Sequence, residues 1–555
     1  MASVLIVLLG IAGMLLGWFV YSKFIAERIF QLDPNFRTPA HELRDGLDYV
    51  PTNKVVLWGH HFTSVAGAAP IVGPAIAVYW GWVPAVLWVV FGTMFFAGVH
   101  DMGALWASSR HKGKSMGALA EDVIGKRTRS LFMVVVFLVL LMVNAVFGVV
   151  IAKSFVSQPD AVFPAWMAIA VALVIGQLLK RNFSLIPMCL VGIIVLYASV
   201  FAGSYIPIEL PDTLFGLSAN ANWIIILFVY AAIASLLPVW MLLQPRDFIN
   251  GMQLLVGLFL LYGAVFVSLP DITAPAFNTQ TAVDTPSIIP LLFVTIACGA
   301  VSGFHGIVSS GTSSKQLDKE TDARFVGYLG AVGEGCLALV TIVAVSGVAL
   351  AASPEEWHEV YSHLGDGSVA AFITGGANLI QQGWGLPVEF SSTILATMVV
   401  LFAGTTMDSG VRLQRYIIQE WGEIYQLPVL KNGVIATLVA VACCLLLAFG
   451  AGGSSGSGGM IIWPLFGSTN QILASMTLLV ISVMLIKMKR PAIYTLVPMT
   501  FVIVMAFLAG TIKLKEYYLD GNYLLVFLDA VVLIVSVLVM LESWSVIRKF
   551  KRQSA

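Results

Sequence analysis

Apolar residues run along this chain in blocks of about 20, the length that carries a helix across a hydrocarbon layer, with short polar stretches between them. Such blocks fall near residues 3–22, 55–80, 82–107, 131–152, 162–179, 184–203, 222–243, 251–269, 288–310, 325–350, 388–411, 432–450, 460–486, 491–511 and 523–546. They predict an all-α polytopic membrane protein of about 15 transmembrane helices. The basic residues of the first block follow its apolar run, so it reads as a retained anchor with an external N-terminus and not as a cleaved leader.

One block breaks the pattern. Trp58 to Pro74, WGHHFTSVAGAAPIVGP, is apolar but carries paired histidines and sets Gly67, Pro70, Gly73 and Pro74 where a membrane helix keeps unbroken hydrogen bonding. Proline removes donors and glycine loosens the backbone, so the helix is predicted to break near Gly67–Pro70. Irregular backbone at membrane depth survives only when buried in protein or lining a cavity, and in secondary transporters broken helices hold substrate and coupling ion. The alternative is a Gly/Pro helix used for packing alone.

Setting aside the first span and the last four leaves residues 55–203 and 222–411, five spans each and of opposite direction. This matches a LeuT-like 5+5 inverted repeat with discontinuous helices. The expected organisation is an N-terminal anchor and cytoplasmic segment (1–54), a first repeat (55–203), a second repeat (222–411) and four additional C-terminal helices (432–555). The second break is expected at Pro238 in SLLPVWMLLQP, with a simple proline kink as the alternative.

Charge tests the map. With the N-terminus outside, 27 of the 30 Lys and Arg fall in cytoplasmic segments, leaving only Lys153, Lys513 and Lys515 outside. That asymmetry supports both the span count and a cytoplasmic C-terminus. The 30 basic residues are balanced by 30 acidic ones, so nothing suggests a nucleic-acid partner. No Walker lysine motif supports nucleotide-driven pumping, and strings like the hydrolase G-x-S-x-G fall within spans and not at strand-to-helix turns. The cysteines, Cys189, Cys298, Cys336, Cys443 and Cys444, lie in apolar segments without metal-ligand spacing and read as small buried hydrophobes.

Ionisable residues inside spans are costly and therefore informative. They are His60, His61, His100, Asp101, His305, Glu334 and Asp408. The His100–Asp101 pair and Asp408 lie near predicted cytoplasmic ends, where helix-end pairing is the simpler role. The block 288–310 reads CGAVSGFHGIVSSGTSSKQ from Cys298 to Gln316. Its hydroxyls could join freed carbonyls around a hard cation or could serve helix contact. The expected substrate-binding set is His61, Gly67, Ala68, Pro70, Pro238, Ser302, His305 and Asn470. The expected coupling-ion set, for proton or sodium, is Thr63, Ser309, Ser310, Thr312, Ser313, Glu334 and Asp408. An external acidic run, EEWHEVYSH, would place Glu355, Glu359 and His363 on one helix face as a weak metal candidate against a solvated surface.

The runs WGHHFTSVAGAAPIVGPAIA, CGAVSGFHGIVSSGTSSKQ, TTMDSGVRLQRY (405–416) and WPLFGSTNQ (463–471) closely resemble the carbon starvation protein A family. The resemblance implies a bacterial or archaeal inner-membrane transporter of the amino acid–polyamine–organocation superfamily. Its members are associated with peptide uptake and, in one branch, pyruvate uptake. The motif positions transferred are His60, His61, Gly67, Pro70, Ser302, His305, Ser309, Thr312, Asp408 and Asn470. The leading functional reading is a secondary active importer of peptides or pyruvate-like carboxylates, driven by protons or sodium, in contact with membrane lipid. The alternative is a haem-bearing redox or sensor protein using His60, His61, His100 or His305.

Overall fold

The structure is a computed structural model. It describes residues 2–46, 48–181, 185–214, 216–238, 241–280, 287–365, 369–451, 453–456 and 458–554. In chain order its main helices are α1 (Ala2–Phe30), α2 (Lys54–Ala66), α3 (Ala69–Ala77), α4 (Trp82–Arg110), α5 (Lys126–Ser157) and α6 (Val162–Lys180). There follow α7 (Leu185–Gly203), α8 (Ala219–Leu236), α9 (Leu243–Ser268), α10 (Ile288–Thr295), α11 (Gly303–Gly311) and α12 (Arg324–Ser346). The rest are α13 (Pro354–Val360), α14 (Val369–Trp384), α15 (Val388–Ile424), α16 (Gly433–Gly450), α17 (Gly458–Lys487), α18 (Ile493–Leu519) and α19 (Tyr523–Ser554).

Every apolar block is helical, but not every one is a single spanning helix. Among the described residues 12 helices are long and apolar enough to cross a membrane, or 13 when the bent pair α2–α3 is taken as one span. Of the 15 expected, block 184–203 yields a shorter apolar helix, Pro187–Gly203. Block 288–310 yields α10 and α11 with non-helical backbone between them.

The chain divides into two compact units. One comprises Met1–Leu5, Leu140–Val283 and Val340–Trp463; the other comprises Ile6–Val139, Asp284–Leu339 and Pro464–Ala555. In the first, α6 packs on α7, α9 on α14, and α15 against α14, α9 and α16. The long motif helix α15 organises this unit through buried polar contacts. The Asn250 amide donates to Thr405 Oγ1 at 2.6 Å, and Asn144 Nδ2 donates to Gln414 Oε1 at 3.1 Å.

The expected second break does not fall inside a span. Helix α8 stops at Leu236, and Leu237 is extended (φ −71°, ψ 150°) because the ring of Pro238 excludes helical geometry from the residue before it. Arg412 Nη2 then satisfies the helix end, donating to the carbonyls of Ala234 (2.9 Å) and Leu237 (2.6 Å). Pro238 is exposed at that terminus.

In the second unit two interrupted helices meet. Asn53 caps α2 by accepting from the amide of Val55, and α2 ends at Ala66. Gly67 takes φ 46° and ψ −163°, a left-handed value that an L side chain resists. Helix α3 restarts two residues later with Pro70 in its first turn, where no amide is needed. The two pieces are bent by 49°. Helix α3 packs on α10 through Gly73, where a Cβ would come within 2.4 Å of the Thr295 carbonyl oxygen. The second interruption is thus Ile296–Ser302, between α10 and α11, and it lies beside the first.

Candidate functional site

The unwound stretch 296–302 is buried throughout, so its backbone groups must find partners within the protein. Trp88 Nε1, from α4, donates to the Ile296 carbonyl at 3.1 Å, and Thr93 Oγ1 donates to that of Gly299 at 3.0 Å. From α17, Gln471 Nε2 donates to the Phe293 carbonyl at 2.5 Å. Asn470 closes the other end. Its Oδ1 accepts from the amide of Phe304 at 2.9 Å and its Nδ2 donates to Ser302 Oγ at 3.0 Å, so it caps the start of α11. The motif WPLFGSTNQ therefore holds the second interruption open.

Directly below that cap runs a chain of ionisable groups. His100 Nδ1 lies 2.7 Å from Asp101 Oδ1, and Asp101 Oδ2 lies 2.8 Å from His305 Nδ1. On the far side of the ring, His305 Nε2 lies 3.3 Å from Glu334 Oε2. The side chains are 0–1% exposed. The chain links α4 through α11 to α12. Each Asp101 oxygen meets an imidazole nitrogen, which fixes Nδ1 of both rings as N–H donors. Neutral His305 then has its lone pair on Nε2; protonated His305 donates from Nε2 toward Glu334. A proton can therefore sit on either side of a 3.3 Å gap inside an apolar interior.

His61, the other histidine expected at the site, is fully buried on α2. Its Nδ1 lies 2.8 Å from Ser313 Oγ, just past α11, so it joins the two interrupted helices. His60 is on the same helix, and its carbonyl accepts from Ser64 Oγ. The four histidines considered for haem are thus divided: His100 and His305 share Asp101, and His61 binds Ser313.

Three of the hydroxyls expected around a cation are engaged in bonds of their own, whereas Ser309 Oγ is buried with no hydrogen-bond partner among the described residues. Thr63 Oγ1 donates to the Gly59 carbonyl at 2.8 Å, and Ser310 Oγ donates to that of Gly306 at 2.7 Å. Ser309 is buried, Thr312 is the residue just past α11, and Ser313 serves His61. Gly67 and Ala68 form the first interruption, Pro70 lies in the first turn of α3, and Ser302 ends the second.

Two expected positions belong to the other unit. Pro238 ends α8 there. Asp408 forms a short ion pair with Arg246 of α9, and Tyr230 of α8 donates to its Oδ2 at 2.7 Å. Arg246 and Asp408 are 2% and 0% exposed. Arg246 escapes the sequence reading because it falls between the blocks 222–243 and 251–269, where the polar start of α9 reads as a cytoplasmic loop. The acidic surface stripe also changes: α13 ends at Val360, so Glu355 and Glu359 share a helix while His363 lies beyond it. Among the described residues the cluster with metal-ligand proximity is instead Cys298, His305 and Glu334. Cys298 had no ligand spacing in sequence, since the unwound stretch brings it to a helix elsewhere in the chain.

Residues 2–509 match the family described as carbon starvation protein CstA. The chain belongs to the CstA family. Curated relatives include the peptide transporter CstA of Campylobacter jejuni, 31% identical over 94% of this chain and 81% of that protein. The peptide transporter CstA of Bacillus subtilis is 31% identical over 94% of this chain and 92% of that protein. The pyruvate/proton symporter BtsT of Escherichia coli is 31% identical over 93% of this chain and 84% of that protein. Among solved structures, the Eremococcus coleocola manganese transporter superposes with a TM-score of 0.56 at 11% identity, over 92% of this chain and 99% of that one. At that identity the likeness speaks for the fold alone. As a CstA-family member the chain is a multi-pass membrane transporter and not an enzyme.

Proposed function

We propose that this protein is a proton-coupled secondary importer of small carboxylate-bearing nutrients, peptides or pyruvate-like anions, working by alternating access around its two interrupted helices. The observation that carries this reading is the buried His100–Asp101–His305–Glu334 chain, which runs beside the second interruption. Such groups are expensive in a membrane interior, and where they occur they mark substrate, ion or proton pathways. A chain of two carboxylates and two imidazoles suits a proton better than sodium, which asks for a shell of free oxygens. The proton named for the Escherichia coli relative agrees with this choice.

In this reading the core is a LeuT-like inverted repeat whose halves open on the interrupted helices, with the second half beginning at Ile288 and not at residue 222. The interrupted segments run in opposite directions on the span map, as such a repeat requires. His61, Gly67, Ala68, Pro70 and Ser302 line the interruptions and supply the substrate contacts. The positive start of a half-helix and the imidazoles provide donors for a carboxylate. Asn470 acts by holding the α11 cap in place.

Uptake into proteoliposomes tests the proposal. Panels of short peptides and pyruvate are offered under an inward proton gradient, an inward sodium gradient, and neither. Accumulation under the proton gradient alone is expected, because each pH unit contributes about 1.4 kcal/mol per coupled proton, a tenfold limit on accumulation. Accumulation driven only by sodium would refute the coupling.

A further inference from the structure

Cys298 takes no part in the proton chain, yet it stands beside it. One ligand atom from each of Cys298, His305 and Glu334 lies within 4.8 Å of the others, and all three residues are buried. His305 is oriented as a metal ligand is. Its Nδ1 is held by Asp101 at 2.8 Å, which leaves Nε2 turned toward Glu334. That carboxylate–imidazole pairing fixes the tautomer and leaves the lone pair of neutral His305 on Nε2. Glu334 Oε1 has no hydrogen-bond partner among the described residues, although it is buried. A buried carboxylate oxygen left unpaired is costly, and a cation held by both oxygens of the Glu334 carboxylate, which otherwise takes a backbone hydrogen bond from Gly299, would satisfy it.

We infer that Cys298, His305 and Glu334 form a binding site for a borderline-soft divalent cation of the zinc type. One thiolate, one imidazole and one carboxylate are the donors that Zn²⁺ accepts in a tetrahedral site with an open fourth position. The thiolate disfavours Mg²⁺ and Ca²⁺, which take oxygen ligands. A bound cation occupies His305 Nε2 and Glu334 together, so it arrests proton exchange between them. That consequence rests on the proton-coupled reading; the binding site does not.

The test is direct binding to the purified full-length protein after chelator treatment. Expected is stoichiometric uptake of Zn²⁺, and of Co²⁺ with a thiolate-to-metal absorption band that Cys298→Ser abolishes. Glu334→Gln weakens binding, and Asp101→Asn, which leaves one oxygen for the two Nδ1 donors of His100 and His305, weakens it about 10- to 100-fold. Absence of stoichiometric binding by the wild type overturns the inference. So does a Co²⁺ complex without the thiolate band, or one whose band survives in Cys298→Ser. Zn²⁺ inhibition of uptake is then measured separately. Binding without any proton-driven uptake by the metal-free protein would sink the transport reading and leave the site standing. Proton-driven uptake without binding would do the reverse.

Discussion

Replacing Asp101 by asparagine is the sharpest perturbation of the proposed proton chain. The aspartate accepts from two imidazoles, at 2.7 Å and 2.8 Å, with no exposure to solvent. Asparagine keeps the shape but offers one oxygen and one amide donor. One of the two rings must then face a donor with a donor, or turn over to its other tautomer. If His305 turns, its proton sits on Nε2 permanently and no lone pair remains there to receive one from Glu334. Hydrogen bonds to a charged group are worth about 1.5–3 kcal/mol each, so losing one lowers the proton-loaded population roughly 10- to 150-fold. Uptake driven by an inward proton gradient should fall by that factor. Counterflow exchange at equal pH, which needs no net proton movement, should fall far less. Wild-type gradient-driven uptake by Asp101→Asn would refute the reasoning. Equal loss of both activities would show that Asp101 only holds the fold together.

Three further outcomes are expected. Gly73→Val should lower thermal stability in detergent by about 1–3 kcal/mol, because its Cβ meets backbone oxygen of Thr295 at 2.4 Å and backbone cannot yield. Arg246→Met should destabilise the protein by about 3–5 kcal/mol by leaving Asp408 buried without its guanidinium, and the double variant with Asp408→Leu should recover most of the loss in the same unfolding assay. Reporter fusions should place the N-terminus outside and the Arg548–Arg552 cluster inside, the orientation in which 27 of the 30 Lys and Arg would fall on the cytoplasmic side; two termini on one side would mean that a span has been miscounted.

The sequence alone determined the class, the helical blocks and the first break. These follow from local physics: hydrocarbon thickness sets the block length, and Gly67 with Pro70 interrupts hydrogen bonding wherever the surrounding helix packs. It also singled out His61, His305 and Glu334, since an ionisable group in an apolar run is conspicuous by its cost. Only the tertiary structure decided which of these groups meet. Asp101 and His100 looked like helix-end residues because their position on α4 was visible and their partner on α11, some 200 residues away, was not. Pro238 looked like a second break because a proline in an apolar run does not reveal whether the helix continues beyond it. Asp408 looked like a helix-end or coupling residue, and its partner Arg246 came to it only through the packing of α9. Cys298 looked like a buried hydrophobe until the unwound stretch between α10 and α11 turned it toward His305 and Glu334. Helix formation and breakage depend on neighbours a few residues apart, and so are legible in order along the chain. A buried polar group is defined by what satisfies it, and in this protein those partners come from helices that only the fold brings together.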